Sequence, residues 1–408
     1  MFLPFKAVAA YAIFGACYLV FALGRFPGIK IDRPGAAIIG ATGMVALGIL
    51  VPNEALHYID FPTLVLLFSM MLIVASLHLS GFFDWIAHLV VTKLKPRHLL
   101  PTVIFTSGIL SAFLVNDIVC LAMVPLVLSA TRRMNLKPLP YLLAVATASN
   151  IGSVATITGN PQNILIGSYS GIPYIRFMCA LAPVAIIGLF INWAVIHYMR
   201  AKWGGAAVPA ETLDPARPVN RKRLLKPALI LAAVLAGFLV NIPPALAAAT
   251  GAAALLISRT NDPRTVYEEI DWGLLIFFIG LFIIVGGAEK TGLDAYLLDI
   301  AKHWNLHRPE IFTMAVALLS NVISNVPAVM LVKSWAAGFA HPQTGWLFLA
   351  MSSTLAGNLT ITGSVANIIV IEQARKEEKI GFFDYLRVGL PVTLLTLLAG
   401  VIWLECIG

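Results

Sequence analysis

The stretch Ser149-Asn-Ile-Gly-Ser-Val-Ala-Thr-Ile-Thr-Gly-Asn-Pro-Gln-Asn163 interrupts an apolar run, and Ser353-Thr-Leu-Ala-Gly-Asn-Leu-Thr-Ile-Thr-Gly-Ser-Val-Ala-Asn367 repeats its pattern 204 positions later. Gly152, Gly159, Gly357 and Gly363 permit unwinding, and Pro161 removes an amide donor. Segments 139–169 and 344–371 are therefore too long and too polar at their centres to be plain helices, and they read as broken ones. Two further apolar stretches hold polar clusters. Residues 99–131 contain Ser111-Ala-Phe-Leu-Val-Asn-Asp117, and 309–340 contain Ser320-Asn-Val-Ile-Ser-Asn-Val-Pro327. Each stretch has room for two half-depth helices and a turn, so both are expected to be re-entrant hairpins.

The surrounding chain names the solvent. Of 408 residues, 59% are hydrophobic and only 12% charged, against about 25% charged in soluble domains. So few charges cannot cover a water-facing surface. Apolar runs of the length that crosses about 30 Å of hydrocarbon recur throughout. The expected spans are 7–23, 35–51, 62–80, 139–169, 175–199, 227–242, 244–258, 272–289, 344–371 and 386–405. The first is read as a retained span, since no cleavage site follows it. Segments 82–93 and 292–304 read as amphipathic helices in the interface. Cys17, Cys120, Cys179 and Cys406 have no metal-type spacing and read as apolar filler.

The net charge of +8 is not a nucleic-acid signature, because the basic residues gather in short loops. With ten spans and non-crossing hairpins, one side collects 22 of the 28 Lys and Arg, which makes that side cytoplasmic and both termini periplasmic or extracellular. A bacterial-type inner membrane is the expected location.

The halves match in order and register. Gly40-Ala-Thr-Gly43 pairs with Ala248-Ala-Thr-Gly251, Asp60 with Asp271, and Gly81 with Gly292. Further on, Asn116 pairs with Asn325, Thr158-Gly159 with Thr362-Gly363, and Asn163 with Asn367. The expected fold is thus an all-α polytopic membrane protein of two repeats, 1–199 and 227–408, joined by a Pro-rich, basic cytoplasmic linker at 200–226. Five spans per repeat, an odd number, require the second repeat to be inverted, as in secondary transporters. The hairpin 99–131 then enters from the cytoplasm and 309–340 from outside.

Unwound backbone at membrane depth is tolerated where it lines protein or a wet cavity. Its carbonyls, with Ser, Thr and Asn oxygens, suit a small hard cation, and freed amides at half-helix starts suit an anion. The candidate binding residues are Ser111, Asn116, Asn150, Gly152, Thr156, Thr158, Gly159, Asn160 and Asn163 in the first half. Their counterparts are Ser320, Ser324, Asn325, Thr354, Gly357, Asn358, Thr362, Gly363, Ser364 and Asn367. Sodium is a candidate ion at the 116/150–160 and 325/357–364 clusters. Asp117 is the one carboxylate deep inside an apolar stretch, and intramembrane acids usually carry function. It is the candidate proton carrier; its repeat mate is Val326. Lys333 reads as a snorkelling or anion-facing residue, Cys120 as filler or a soft contact one turn from Asp117, and His78 and His88 as interfacial.

At these segments the chain resembles the ion transporter superfamily of arsenite permeases, Na⁺/H⁺ antiporters and dicarboxylate and citrate carriers. Ala112-Phe-Leu-Val-Asn-Asp117 looks like an element of arsenite permeases. The stretches 150–163, 324–327 and 355–367 look like the superfamily's broken-helix and hairpin signatures. Sodium–dicarboxylate members carry Ser-Asn-Thr at both tips; here the tips read Val115-Asn116-Asp117 and Ser324-Asn325-Val326, without the Thr. The resemblance implies a non-enzymatic secondary transporter, closest to the arsenite-permease branch, exporting arsenite or antimonite in exchange for protons. A cation-coupled anion symporter and a Na⁺/H⁺ antiporter stay open, as do homodimerisation and an accessory ATPase. A passive channel is disfavoured by the inverted halves.

Overall fold

Asp32, Asp60 and Asp271 each stand just before a helix and accept a backbone amide from its first turn, at 2.9 Å from Gly35, Thr63 and Leu274. Many other helices start on a proline, whose missing amide has no partner to lose there. The computed structural model describes residues 5–24, 31–83, 85–86, 95–200, 221–258, 261–336 and 338–407. The helices are α1 (Phe5–Leu23), α2 (Arg33–Ala46), α3 (Pro52–Tyr58), α4 (Phe61–Leu79), α5 (Pro96–Phe113), α6 (Asn116–Arg133), α7 (Leu139–Ser153), α8 (Pro161–Ser170) and α9 (Tyr174–Arg200). After the linker come α10 (Arg221–Leu239), α11 (Pro244–Ile257), α12 (Pro263–Glu268), α13 (Trp272–Lys290), α14 (Leu293–His303), α15 (Pro309–Ile323), α16 (Asn325–Ala336), α17 (Pro342–Ala356), α18 (Val365–Ala374) and α19 (Phe382–Ile407). Most of the linker (201–220) and of segment 82–93, His88 included, lies outside the described residues.

Helix lengths recur between halves. α1 and α10 have 19 residues each, α2 and α11 14, α4 and α13 19, α7 and α17 15, and α8 and α18 10. Packing recurs too, with the halves exchanged. α2 lies along α13 while α11 lies along α4, and α8 packs on α17 while α18 packs on α7.

Among the described residues, α1, α4, α9, α13 and α19 are long and apolar enough to cross a membrane. Leu394, Leu398 and Ile402 on α19, with Ile186 and Phe190 on α9, are exposed, and such apolar faces need lipid around them. The chain is a polytopic, membrane-embedded, all-helical protein.

Some boundaries differ from expectation. The span at 35–51 ends at Ala46, where Gly48 takes a positive φ of 65° and turns the chain into α3. The arms of the first hairpin have 18 residues each, about 27 Å at 1.5 Å per residue, more than half-depth.

The hairpin tips differ. Leu114 and Val115 turn the first with ordinary extended backbone. Ser324 turns the second at φ 75° and ψ 156°, a region that a side chain disfavours. Ser324→Gly is expected to stabilise the protein by about 1 kcal/mol, raising Tm in detergent. An unchanged or lower Tm would mean the serine hydroxyl outweighs the backbone cost.

Candidate transport site

Both long segments break where the glycines and Pro161 stand. α7 stops at Ser153, a short 3-10 turn forms at Ile157–Gly159, and α8 restarts at Pro161. α17 stops at Ala356, the turn recurs at Ile361–Gly363, and α18 restarts at Val365. Breaking a helix orphans carbonyls, which an asparagine in each half satisfies. Asn163 Nδ2 donates to the carbonyls of Ser153 and Thr156, both at 3.0 Å. Asn367 Nδ2 donates to those of Gly357 (2.6 Å) and Thr360 (3.0 Å), each 204 positions on. Asn160 and Ser364 cap the restarting helices through the amides of Asn163 and Ala366.

The glycines act differently from expectation. None of the four has a positive φ. Gly152 lies within regular α7, and a Cβ there would strike the Gly108 backbone of α5. A Cβ on Gly159 would strike the Ser153 carbonyl, and one on Gly363 would meet Asn321 Oδ1 at 2.7 Å. These residues permit close backbone approach; the bends themselves use ordinary dihedrals.

The halves brace each other through two further side chains. Asn150 is 1% exposed and uses its whole amide. Its oxygen accepts from Asn116 Nδ2 (3.1 Å) and Ser364 Oγ (3.0 Å), and its nitrogen donates to Asn358 Oδ1 (3.0 Å) and Asn367 Oδ1 (2.9 Å). Its counterpart Thr354 accepts from Asn160 Nδ2 (3.2 Å) and Gln162 Nε2 (3.3 Å) and donates to Asn163 Oδ1 (3.3 Å). The Asn325 amide, turned with its nitrogen inward, donates to the carbonyls of Ser353 (3.1 Å) and Gly363 (3.2 Å).

Above this network lies a cavity of about 320 Å³. Both hairpin tips line it, through Asn116, Asp117, Ser324 and Asn325, together with Gln162 and Ser364. Asp32, Arg33 and Asp271 complete the polar wall. Asp117 is half-buried and forms no hydrogen bond or ion pair among the described residues, whereas Asp32 and Asp271 are more exposed and tied to helix starts. Arg33 Nε donates to the Phe21 carbonyl at 3.0 Å.

The expected residues thus separate into layers. Asn116, Asp117, Ser324, Asn325 and Ser364 face the cavity. Asn150, Asn160, Asn163, Thr354, Asn358 and Asn367 lie in the buried network beneath. Thr156 and Thr158 sit in the first break, bonded to the Ala112 carbonyl and to Tyr174 Oη (2.9 Å) respectively. Thr362, at the matching place, is exposed. Ser111 and Ser320, which are repeat mates, are fully buried hydroxyls without partners among the described residues, as is Asn116 Oδ1.

Other expectations change. Lys333 is neither snorkelling nor anion-facing; it is ion-paired to Glu289 at 2.8 Å. Cys120 donates to Ser149 Oγ at 3.0 Å and does not line the cavity. His78 pairs with Glu269 at 3.3 Å. The sequence reading missed Gln162, Asn321, Asp32, Arg33 and Asp271 as site residues. Asn321 bridges the second break, donating to the Ala356 carbonyl (2.8 Å) and accepting from Thr360 Oγ1 (3.1 Å). The signal for Asp271 was its pairing with Asp60, and for Asp32 the Asp-Arg-Pro of a helix start.

Similarity to known proteins follows the same outline. A family model described as Citrate transporter matches residues 18–356. The "Putative transporter arsB" of Dictyostelium discoideum is 27% identical over 93% of this chain and 88% of its own length. The Silicon efflux transporter LSI3 of Oryza sativa subsp. japonica is 29% identical over 97% of both. The crystal structure of the Alcanivorax borkumensis YdaH transporter shares the fold, with a TM-score of 0.61 over 99% of this chain and 98% of that one at 13% identity. With four-fifths of its length matched and its helices broken around a polar cavity, the chain belongs to the CitMHS citrate transporter family of membrane transporters, within the ion transporter superfamily.

Proposed function

We propose that the chain is a proton-coupled antiporter that exports arsenite or antimonite as the uncharged hydroxide, with Asp117 as the proton carrier. The observation that carries this reading is the charge of the cavity. Among the described residues it holds three carboxylates against one guanidinium, with both hairpin tips at its base. Carboxylates in a low-dielectric cleft repel a polyanion such as citrate. An undissociated hydroxide meets no such penalty, and the amides and hydroxyls of Asn116, Gln162, Ser324, Asn325 and Ser364 suit its hydrogen bonds. The relatives named arsB and silicon efflux transporter support solutes of this kind.

In this scheme the two halves are inverted repeats and their hairpins re-enter from opposite sides. Both termini lie outside, and the cavity faces the cytoplasm of a bacterial-type membrane. The exchanged packing of α2 on α13 and α11 on α4 supports a two-fold relation between the halves, and the odd number of expected spans in each supports its inversion. Ionised Asp117 admits the solute from inside. After the site turns outward and the solute leaves, a proton binds Asp117 and the protonated site returns.

A second reading is cation-coupled uptake of an anion. The orphan hydroxyls of Ser111 and Ser320, related by the repeat, and the free Asn116 oxygen favour sodium beside each tip. The family's description as citrate transporters favours the same reading.

Proteoliposomes separate the two. We expect a pH gradient to drive arsenite or antimonite flux without sodium, accompanied by opposite proton movement. Sodium-dependent citrate or dicarboxylate uptake with no arsenite flux would overturn the antiport reading in favour of the symporter. A sodium-driven pH change with neither solute present would make the chain a Na⁺/H⁺ antiporter.

A further inference from the structure

The cavity lies at the Asp271 end of α13; a buried ion pair lies at the other end. Lys333 Nζ, on α16 of the second hairpin, sits 2.8 Å from Glu289 Oε1 of α13, with the side chains only 18% and 14% exposed. The same ammonium stands over the Tyr169 ring of α8, 4.7 Å from its centroid. The pair therefore ties a hairpin and a broken helix to a helix that packs against α2, outside the polar network. Two further bonds hold the same arm to other helices: Tyr18 Oη of α1 donates to the Pro327 carbonyl at 3.1 Å, and Trp335 Nε1 donates to the Leu297 carbonyl of α14 at 2.9 Å.

The repeat-related seam is built otherwise. The positions matching Lys333, Glu289 and Tyr169 are Val124, His78 and Gln373. Val124 and Gln373 line a separate cavity of about 420 Å³. His78 turns away to Glu269. The first hairpin has an ion pair of its own, Arg132 with Glu377, beside that cavity, but it joins α6 to the stretch after α18. Among the described residues only the second hairpin is fastened by charge to its long neighbouring helix, α13 rather than α4.

We propose that Lys333–Glu289, with the Tyr169 ring, is a latch that holds the second hairpin against α13. Because no such pair joins the first hairpin to α4 among the described residues, the latch sets the resting conformation to the one with the Asn116–Asn325 cavity open. This rests on the transporter reading, in which the hairpins move relative to α13. Removing one partner leaves the other charge buried and unpaired, a penalty confined to the latched state. The population then shifts toward the conformation in which the seam parts and the cavity closes.

The test uses the full chain in detergent, with Cys17, Cys120, Cys179 and Cys406 replaced by Ala and a reporter, Leu274→Cys, in the cavity wall. The readout is its labelling rate by a charged maleimide. Glu289→Gln and Lys333→Met are expected to slow labelling by about tenfold, as when an open-to-closed ratio of about 10:1 becomes about 1:10, a ~2.8 kcal/mol shift. Combining Lys333→Glu with Glu289→Lys should restore the rate to within about twofold of the parent, because the cycle isolates the pair. Labelling as fast in the single variants as in the parent overturns the latch. A charge swap as slow as the singles also overturns it, since packing alone then explains the loss. Should a single variant lose its monodisperse gel-filtration peak, Tyr169→Leu keeps both charges and is expected to slow labelling about threefold by removing the ring contact; an unchanged rate there overturns the latch. A parent protein that does not label at all sinks the open cavity, and the transport reading with it. A labelled parent with indifferent variants sinks only the latch.

Discussion

Asp117→Asn is expected to abolish pH-driven exchange while leaving the protein folded. The amide matches the carboxyl in shape but cannot take up and release a proton. Asp117 is half-buried at the wall of the 320 Å³ cavity and has no hydrogen-bond or ion-pair partner among the described residues. Its loss therefore breaks no bond, and the change in folding stability should stay below about 1 kcal/mol. Removing one of three acids from the same cavity relieves repulsion, so any change should be toward higher stability. The measurement pairs thermal unfolding in detergent with proton movement followed by a trapped pH dye in proteoliposomes. Full exchange by the variant would rule out the carrier role.

Asn150→Ala is expected to have the largest effect on folding. This side chain makes four hydrogen bonds, to Asn116, Ser364, Asn358 and Asn367, and so joins the first hairpin tip to the break of the other half. Each partner is buried, and an unsatisfied buried polar group costs about 1–3 kcal/mol. The sum should be a loss of about 4 kcal/mol or more, seen as a Tm lowered by many degrees or as failure to give a monodisperse protein. Asn150→Asp should fare little better, because a carboxylate cannot donate to Asn358 and Asn367. A shift under about 1 kcal/mol for the alanine variant would mean that the partners re-pair among themselves.

Helix breaks were legible because Gly, Pro and clustered Ser, Thr and Asn conflict locally with an apolar helix, and that conflict is visible in a single sequence. The recurrence of the break in both halves was legible for the same reason: rare polar patterns stand out against a lipid-facing background. What the glycines do was not legible. Gly152 lies opposite Gly108, 44 positions away, and only packing brings the two backbones together. Asp32 and Asp271 were hidden because a helix-capping aspartate in a loop looks the same whether or not the loop borders a cavity. Lys333 looked solitary because Glu289 is contributed by another helix. Ser324 gave no hint of its positive φ, since the residue expected there is glycine.

Cross-half bonds also bear on how the protein is made. When the first half has entered the bilayer, Asn150, Asn160 and Asn163 face a slot that α17 and α18 have yet to fill. Until the carboxyl-terminal half arrives, the Asn150 nitrogen and the Asn163 oxygen lack the partners it supplies, and the nascent product is expected to be a substrate for membrane proteases and chaperones. A premature stop between the halves would yield a short-lived fragment, and supplying the missing half as a separate polypeptide should rescue it.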